Sequence, residues 1–430
     1  MNIYIAHYHL NPGGVTRIIQ SQIMSLKQLI NAEDIVVITG GLEEKKFFQN
    51  EGIEVIINPD FLYFTEDKID ETHKTHSRLL HFFDTFLQHD DIIHFHNLNL
   101  GKNPVVTFAI YQLARSGFPV FNHVHDFAED RPQNWDFLKE IIENRFNEDL
   151  RKVMYPSFSN YLFGVLNQFD KQRLINFGLK PDRIQYLPNP VNMNETEEKD
   201  KEFYYRKICQ ELNIEQNKPI ITYPVRVIRR KNIGEFILLA ALFREDFHWV
   251  VTQPPKNPVE KGPYDKWVQF CQEYRIPVIF EAGNRVDFFE LMYASSSCIT
   301  TSYREGFGMA FLEPWLLDTP VIGRNIDYAT RDFLENGIAI PHLYNRLLVH
   351  HHHASDDFKN FDDDIQREII KETLQNPVIK KQLFENNPVL EKLNQAIPQS
   401  VIDNNKTIIK NNYSIQKYGE LLSNAYQRFF

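Results

Sequence analysis

From its first residues the chain alternates short runs of β-branched and aromatic residues with longer segments of helical period. Runs at 2–7, 34–39, 54–58, 91–96, 120–125 and 161–167 predict six strands. Between them, Leu79, Leu80, Phe82, Phe83, Phe86 and Leu87 recur mostly at three- and four-residue spacing, which predicts a core-facing helix over 75–88. Strand, helix and strand repeated in this way build a parallel sheet covered by helices on both faces. The stretch 192–200 is polar and acidic with no apolar period, and marks a domain boundary. A second series then predicts strands at 219–225, 248–252, 277–281, 298–301 and 320–323, with helices at 233–243 and 264–273.

The expected fold class is therefore α/β: two tandem Rossmann-like, doubly wound domains, 1–190 and 191–413, with an interdomain cleft. Loops at the carboxyl ends of both sheets would face that cleft. Residues 341–397 are more polar and irregular and read as an insertion with helices of its own. Ile415, Tyr418, Leu421, Leu422 and Tyr426 predict a helix within 414–430 that docks back on the first domain.

Composition narrows the classes. Hydrophobic residues make up 43% of the 430 and charged residues 24%, which is ordinary for a folded protein in water. The formal charge of −10 opposes non-specific attraction to nucleic acid or anionic lipid, so no nucleic-acid partner and at most peripheral membrane contact are expected. Three cysteines without paired spacing suggest neither a disulfide framework nor a zinc site, and a reducing cytoplasm fits them. The first residues do not read as a signal peptide, and no stretch approaches the ~20 apolar residues of a membrane-spanning helix.

Three stretches carry chemistry. Residues 304–313, Arg-Glu-Gly-Phe-Gly-Met-Ala-Phe-Leu-Glu, follow a predicted strand and open a predicted helix. A glycine turn at a helix start presents free N–H groups and the positive dipole end to a phosphate or diphosphate. Glu305 and Glu313 would lie about 12 Å apart at ~1.5 Å per helical residue, a span suited to gripping two ends of a long ligand. A loop glutamate plus one favoured by the helix dipole would give the same pattern. Arg226, Arg229, Arg230 and Lys231 cluster after the first strand of the second series, either a cationic spot for an anion or a solvated basic turn. Residues 9–17 hold Gly13, Gly14 and Arg17 after the first strand, where paired glycines let a backbone approach a ligand closely.

Strand ends of the first domain add His94, His96 and Asn97, then His123, His125 and Asp126, as acceptor contacts or proton handlers. His125 beside Asp126 also reads as a structural pair. No G-x-G-x-x-G follows the first strand, and no P-loop or G-x-S-x-G elbow occurs, which disfavours nicotinamide, P-loop and serine-hydrolase chemistry. The His350 to His353 run does not match metal-site spacing, so no functional metal is expected there.

With these residues in their order, the sequence resembles the retaining glycosyltransferases of family four, which have the GT-B fold. The resemblance rests on Pro12-Gly13-Gly14, His125-Asp126, the segment 167–179 followed by Pro188-Asn189-Pro190-Val191, Arg226 with Lys231, Glu305-x7-Glu313, and the closing helix, and covers nearly the whole chain. Pro190 stands where the family's linker usually has glycine. The resemblance implies transfer of a hexose from a nucleotide-diphosphate sugar to a hydroxyl acceptor. It implies that Arg226 and Lys231 hold the diphosphate, Glu305 the sugar hydroxyls and Glu313 the ribose. The backbone of Gly306, Phe307, Gly308, Met309 and Ala310 would meet sugar and phosphate. Gly13 and Gly14 would border diphosphate and acceptor, with His125 near the donor sugar. Arg17, His96 and Asn97 are the remaining acceptor-side candidates, and the base would lie near the turn 281–285. Cationic groups aimed at the leaving diphosphate make a metal unnecessary, so no cofactor is expected. An epimerase or phosphorylase on the same scaffold, or a nucleotide-sugar binding protein without turnover, are the alternatives.

Overall fold

The computed structural model describes residues 1–43, 45–191, 200–352 and 354–430. The boundary stretch expected at 192–200 falls, except for Asp200, outside the described residues, as does His353 of the histidine run. The chain forms two compact units, Met1–Asn192 with Asn412–Phe430, and Met193–Asn411.

The first unit is a seven-stranded parallel sheet. Its strands are β1 (Ile3–His7), β2 (Ile35–Thr39), β3 (Glu54–Ile57), β4 (Ile92–His96), β5 (Val120–Val124), β6 (Tyr161–Val165) and β7 (Ile184–Tyr186), in spatial order β3-β2-β1-β4-β5-β6-β7. Every residue of β1, β2, β4, β5 and β6 is buried, because helices cover both faces, and this is why those runs read as nearly continuous apolar sequence. One face is closed by the helices Gly14–Leu26 and Ile415–Tyr426, which share a core of Ile19, Ile23, Leu26, Phe121, Tyr418, Leu422 and Ala425. Their backbones pass so closely that a Cβ on Gly419 would lie 3.2 Å from Ser25 Cβ. The phenylalanine-rich helix runs Thr72–Asp84, and Phe86 and Leu87 pack on the opposite core from the turn beyond it.

The second unit repeats the topology. Strands β8 (Ile220–Arg226), β9 (His248–Gln253), β10 (Val278–Ile279), β11 (Ser297–Thr300), β12 (Val321–Arg324) and β13 (Leu343–Tyr344) lie in the order β10-β9-β8-β11-β12-β13, all parallel. In each sheet the order reverses beside its first strand, between β1 and β4 and between β8 and β11, and such switch points open a crevice at the strands' carboxyl ends.

The polar segment 341–397 holds helices of its own, and a strand and a hairpin precede them. Leu343–Tyr344 joins the sheet edge, and an antiparallel hairpin of β14 (Leu348–His351) and β15 (Ala354–Asp357) precedes the helices Asp363–Gln375 and Pro377–Asn386. A buried ion triad anchors the hairpin: Arg324 at the end of β12 bonds Glu235 on the helix Ile233–Leu242 and reaches Asp357 of β15 at 2.6 and 2.8 Å. Among the described residues no helix is long and apolar enough to cross a membrane.

Candidate active site

The second unit's switch point is flanked by two loops that brace each other. The loop after β8 ends in a tight turn, Arg229–Lys231, and Asn232 then takes a left-handed conformation before the helix Ile233–Leu242. Tyr223 and Thr301 hydroxyls donate to the Lys231 carbonyl at 2.6 and 3.0 Å, and Tyr303 N–H donates to the Arg230 carbonyl at 3.1 Å. This bracing presents Lys231 and Arg230 to the loop after β11. Lys231 pairs with one carboxylate oxygen of Glu305, and Arg230 with the other at 2.7 Å. Tyr328 hydroxyl fixes the Glu305 backbone, donating to its carbonyl at 2.7 Å and accepting its N–H at 3.0 Å.

Glu305 is 10% exposed and Lys231 12%, so the pair is shielded yet reachable. Burial alone would raise the Glu305 carboxyl, but Lys231 and Arg230 outweigh it and hold the group below the ordinary glutamate range. Burial lowers the Lys231 ammonium despite the attraction of Glu305. The cluster is thus a partly desolvated carboxylate with two cations at the mouth of a parallel sheet.

Arg226, at the end of β8, sits beside Gln253 of β9 (Nη2 to Oε1, 3.4 Å), and its Nε is buried with no hydrogen-bond partner. The loop 305–313 departs from the expected form. Gly308 takes φ 93°, open to glycine at low cost, then Met309–Phe311 forms a single tight turn, and the helix beginning at Glu313 has only four residues. The sequence had suggested one helix opening at the glycines. The dipole available to an anion is correspondingly small, and amide groups with neighbouring cations carry the electrostatics instead. The Phe307 side chain is buried edge-on against Phe333, so only its backbone faces outward contacts. Glu313 lies near β11, where its charge, after burial, helps push the Cys298 thiol up. At the end of β10 a cavity of about 470 Å³ is lined by Tyr264, Val268, Phe280, Glu281, Asn284 and Arg285. Tyr264 donates to Glu281 at 3.0 Å there.

The first unit's switch point gathers its own candidates. Gly13 is extended and caps the helix that begins at Gly14, and a Cβ on either residue would meet no obstacle closer than 3.7 Å. Neither glycine is demanded by the fold itself. Arg17 is exposed on the first helical turn. Asn97, left-handed at φ 74°, donates to Asp126 at 2.9 Å and accepts the Asp126 N–H at 2.9 Å, while Arg131 takes the other Asp126 oxygen at 2.7 Å. Asp126 is thereby engaged by Asn97 and Arg131. His96 is completely buried, with Nδ1 on His125 Nε2 at 3.0 Å and Nε2 on Gln22 at 2.6 Å. The direct acceptor contact expected of His96 is closed to it, and His125 is the ring at the strand end. Burial drives His125 down to about 4, against the opposing pull of Asp126.

Two groups among the described residues could place three metal-ligand atoms within 4.8 Å: the buried His94, His96 and His123, and His351, His352 and Glu368 on the hairpin and the helix behind it. The residues that sequence reasoning passed over are Arg230, visible only as one of a basic run, and Gln22, a polar residue on the buried face of its helix.

Comparison with known proteins narrows the chemistry to a class. Residues 205–361, which include Lys231, Arg230 and Glu305, match the family described as "Glycosyl transferases group 1". The chain is a glycosyltransferase. Its group 1 domain occupies most of the second unit. Mannosylglucosyl-3-phosphoglycerate synthase of Petrotoga mobilis is 29% identical over 367 residues, 81% of this chain and 69% of that protein. Among solved structures, Anabaena HepE in complex with UDP-glucose superposes with a TM-score of 0.64 at 14% identity over 99% of this chain and 98% of that one. A glycosyltransferase of Rickettsia africae superposes at 0.62 with 15% identity, covering 100% and 98%. At such identities these structures establish the fold, and the glycosyltransferase has the GT-B architecture.

Proposed function

We propose that this glycosyltransferase moves a hexose from a nucleotide-diphosphate sugar to a hydroxyl of a sugar-type acceptor, with retention at the anomeric carbon and without a metal. The observation that carries the reading is Glu305 clasped by Lys231 and Arg230 at the switch point of the group 1 domain. Such a pair is costly to bury and is retained where a ligand shares its charges.

In this reading Lys231 and Arg226 take the diphosphate, and Arg226's unsatisfied Nε gives it a donor to offer. As the anomeric bond breaks, negative charge grows on the bridging oxygen, and fixed cations in a partly dry pocket stabilise it without reorganising. Donor binding frees Glu305 to accept from hydroxyls of the transferred sugar, with the backbone of residues 306–310 alongside and Glu313 toward the ribose. The cavity beside Glu281 and Arg285 suits a flat base. Gly13, Gly14 and Arg17 serve the acceptor side, and His125 faces sugar. Asp126 has one oxygen held by Arg131 and the other by the Asn97 amide, which favours proton transfer from the acceptor to the leaving phosphate oxygen.

UDP-glucose is the first donor to test because HepE holds it, and the name of the Petrotoga relative directs the acceptor search to phosphoglycerate-bearing sugars. Incubation with UDP-, GDP- and ADP-sugars and an acceptor panel, with product anomers read by NMR, tests the proposal. Glu305→Ala and Lys231→Ala are each expected to lower kcat/KM about 100-fold or more with the fold intact. Near-normal transfer by both variants, or an inverted product, would refute it.

A further inference from the structure

Gln22 is fully buried on the face of its helix that also carries Thr16, Ile18, Ile19, Ile23, Ser25 and Leu26. Its amide Nε2 donates to the Tyr426 hydroxyl at 3.1 Å and lies 3.0 Å from His94 Nδ1, and the Tyr426 hydroxyl lies 2.7 Å from that same nitrogen. That leaves the amide oxygen facing His96 Nε2 at 2.6 Å. An amide oxygen only accepts, so His96 Nε2 carries a proton. Two imidazoles 3.0 Å apart in a dry interior do not both become cations, and burial lowers both rings. Neutral His96 therefore has a bare Nδ1, and His125 Nε2 must donate to it. His125 Nδ1 is then a lone pair, and no described residue hydrogen-bonds to it.

We infer that Gln22 is a positioning residue: through His96 it fixes His125 as the Nε2–H tautomer, so that His125 offers sugar an acceptor at Nδ1 and never a donor. The inference rests on the proposed reading that His125 serves the transfer reaction. A sugar hydroxyl pointing its proton at this ring is recognised, whereas a ring oxygen or ether is not. His94, His96 and His123 do bring nitrogens within 4.8 Å of one another, but His96 spends both of its nitrogens on Gln22 and His125, so metal binding by the triad would have to break this chain.

The test is long-range ¹H–¹⁵N correlation on full-length protein labelled with ¹⁵N-histidine, at pH 7.5 without substrate. His96 and His125 are both expected as Nε2–H tautomers. In Gln22→Met, His125 should become a tautomer mixture, and kcat should fall about tenfold with donor KM little changed. An Nδ1–H tautomer at His125 in the unaltered protein overturns the inference, as does an unchanged tautomer in Gln22→Met. If Gln22→Met does not fold, the tautomers of the unaltered protein decide. Because the spectrum needs no turnover, absence of glycosyl transfer would sink the functional reading while leaving the tautomer result standing.

Discussion

Acid should unfold the first unit before the second. His7, His94, His96 and His123 are buried around the ends of β1, β4 and β5, and burial lowers all four, His7 to about 3. They stay neutral in the folded unit, whereas in the unfolded chain each titrates near 6.5. The unfolded chain therefore binds the extra protons, so the stability is present above about pH 6.5 and is lost as the pH falls below it. At pH 5.5 each histidine costs upward of about 1 kcal/mol, and the four together about 5 kcal/mol. That is comparable with the whole stability of a typical domain, about 5–15 kcal/mol. Near pH 6 the slope should be about 4 kcal/mol per pH unit. Asp170, which burial raises to about 6, takes up its proton in the folded unit and opposes this loss, while His125, lowered to about 4, adds to it, so the two largely offset and the four histidines dominate the window. Hydrogen exchange read by mass spectrometry, corrected for intrinsic rates, can follow peptides from β4, β5 and the helix Ile415–Tyr426 separately from those of the second unit. Protection in the first unit should collapse between pH 6.5 and 5.5 and that in the second much less. In His123→Phe the slope should drop by about a quarter. Equal protection of the first unit at pH 7.5 and 5.5 would refute the assignment of neutral, buried rings.

Two further outcomes are expected. Arg324→Met leaves Glu235 and Asp357 buried without their cation and should destabilise the second unit by about 3–5 kcal/mol in urea unfolding, while replacing all three by apolar residues should recover much of that loss; an effect under 1 kcal/mol would mean that the triad is hydrated. Initial transfer rates in excess chelator should match those with added magnesium, and a fall below half would overturn the metal-free proposal.

The parallel strands were legible because full burial writes a continuous apolar run, as in Ile35 to Ile38. The short edge strands Ile184–Tyr186 and Leu343–Tyr344 were not, since two or three residues carry no period. The hairpin of β14 and β15 was hidden by its histidines and aspartates, and it depends on Arg324, distant in sequence. The helix Pro258–Glu273 began six residues before its apolar face because Asn257 caps it and Pro258 suits a first turn, although both are exposed. At the site, the pairing of Lys231 with Glu305 follows from adjacency of β8 and β11 at the switch point, which the motifs implied. Arg230's share in it did not show, because a basic run does not say which member turns inward. Nor could a sequence tell that His96 would be sealed behind His125, which depends on the register of β4 against β5.

The helix Ile415–Tyr426 completes the hydrophobic face that β1, β4 and β5 begin, yet it emerges from the ribosome after the entire second unit. During synthesis the early sheet must therefore wait with Phe121 and its histidine ladder uncovered while more than two hundred later residues are made. The later half can reach its native form first, an inversion of the usual order in which domains mature from the amino end. Premature stops near the carboxyl end would accordingly damage the opposite end of the polypeptide.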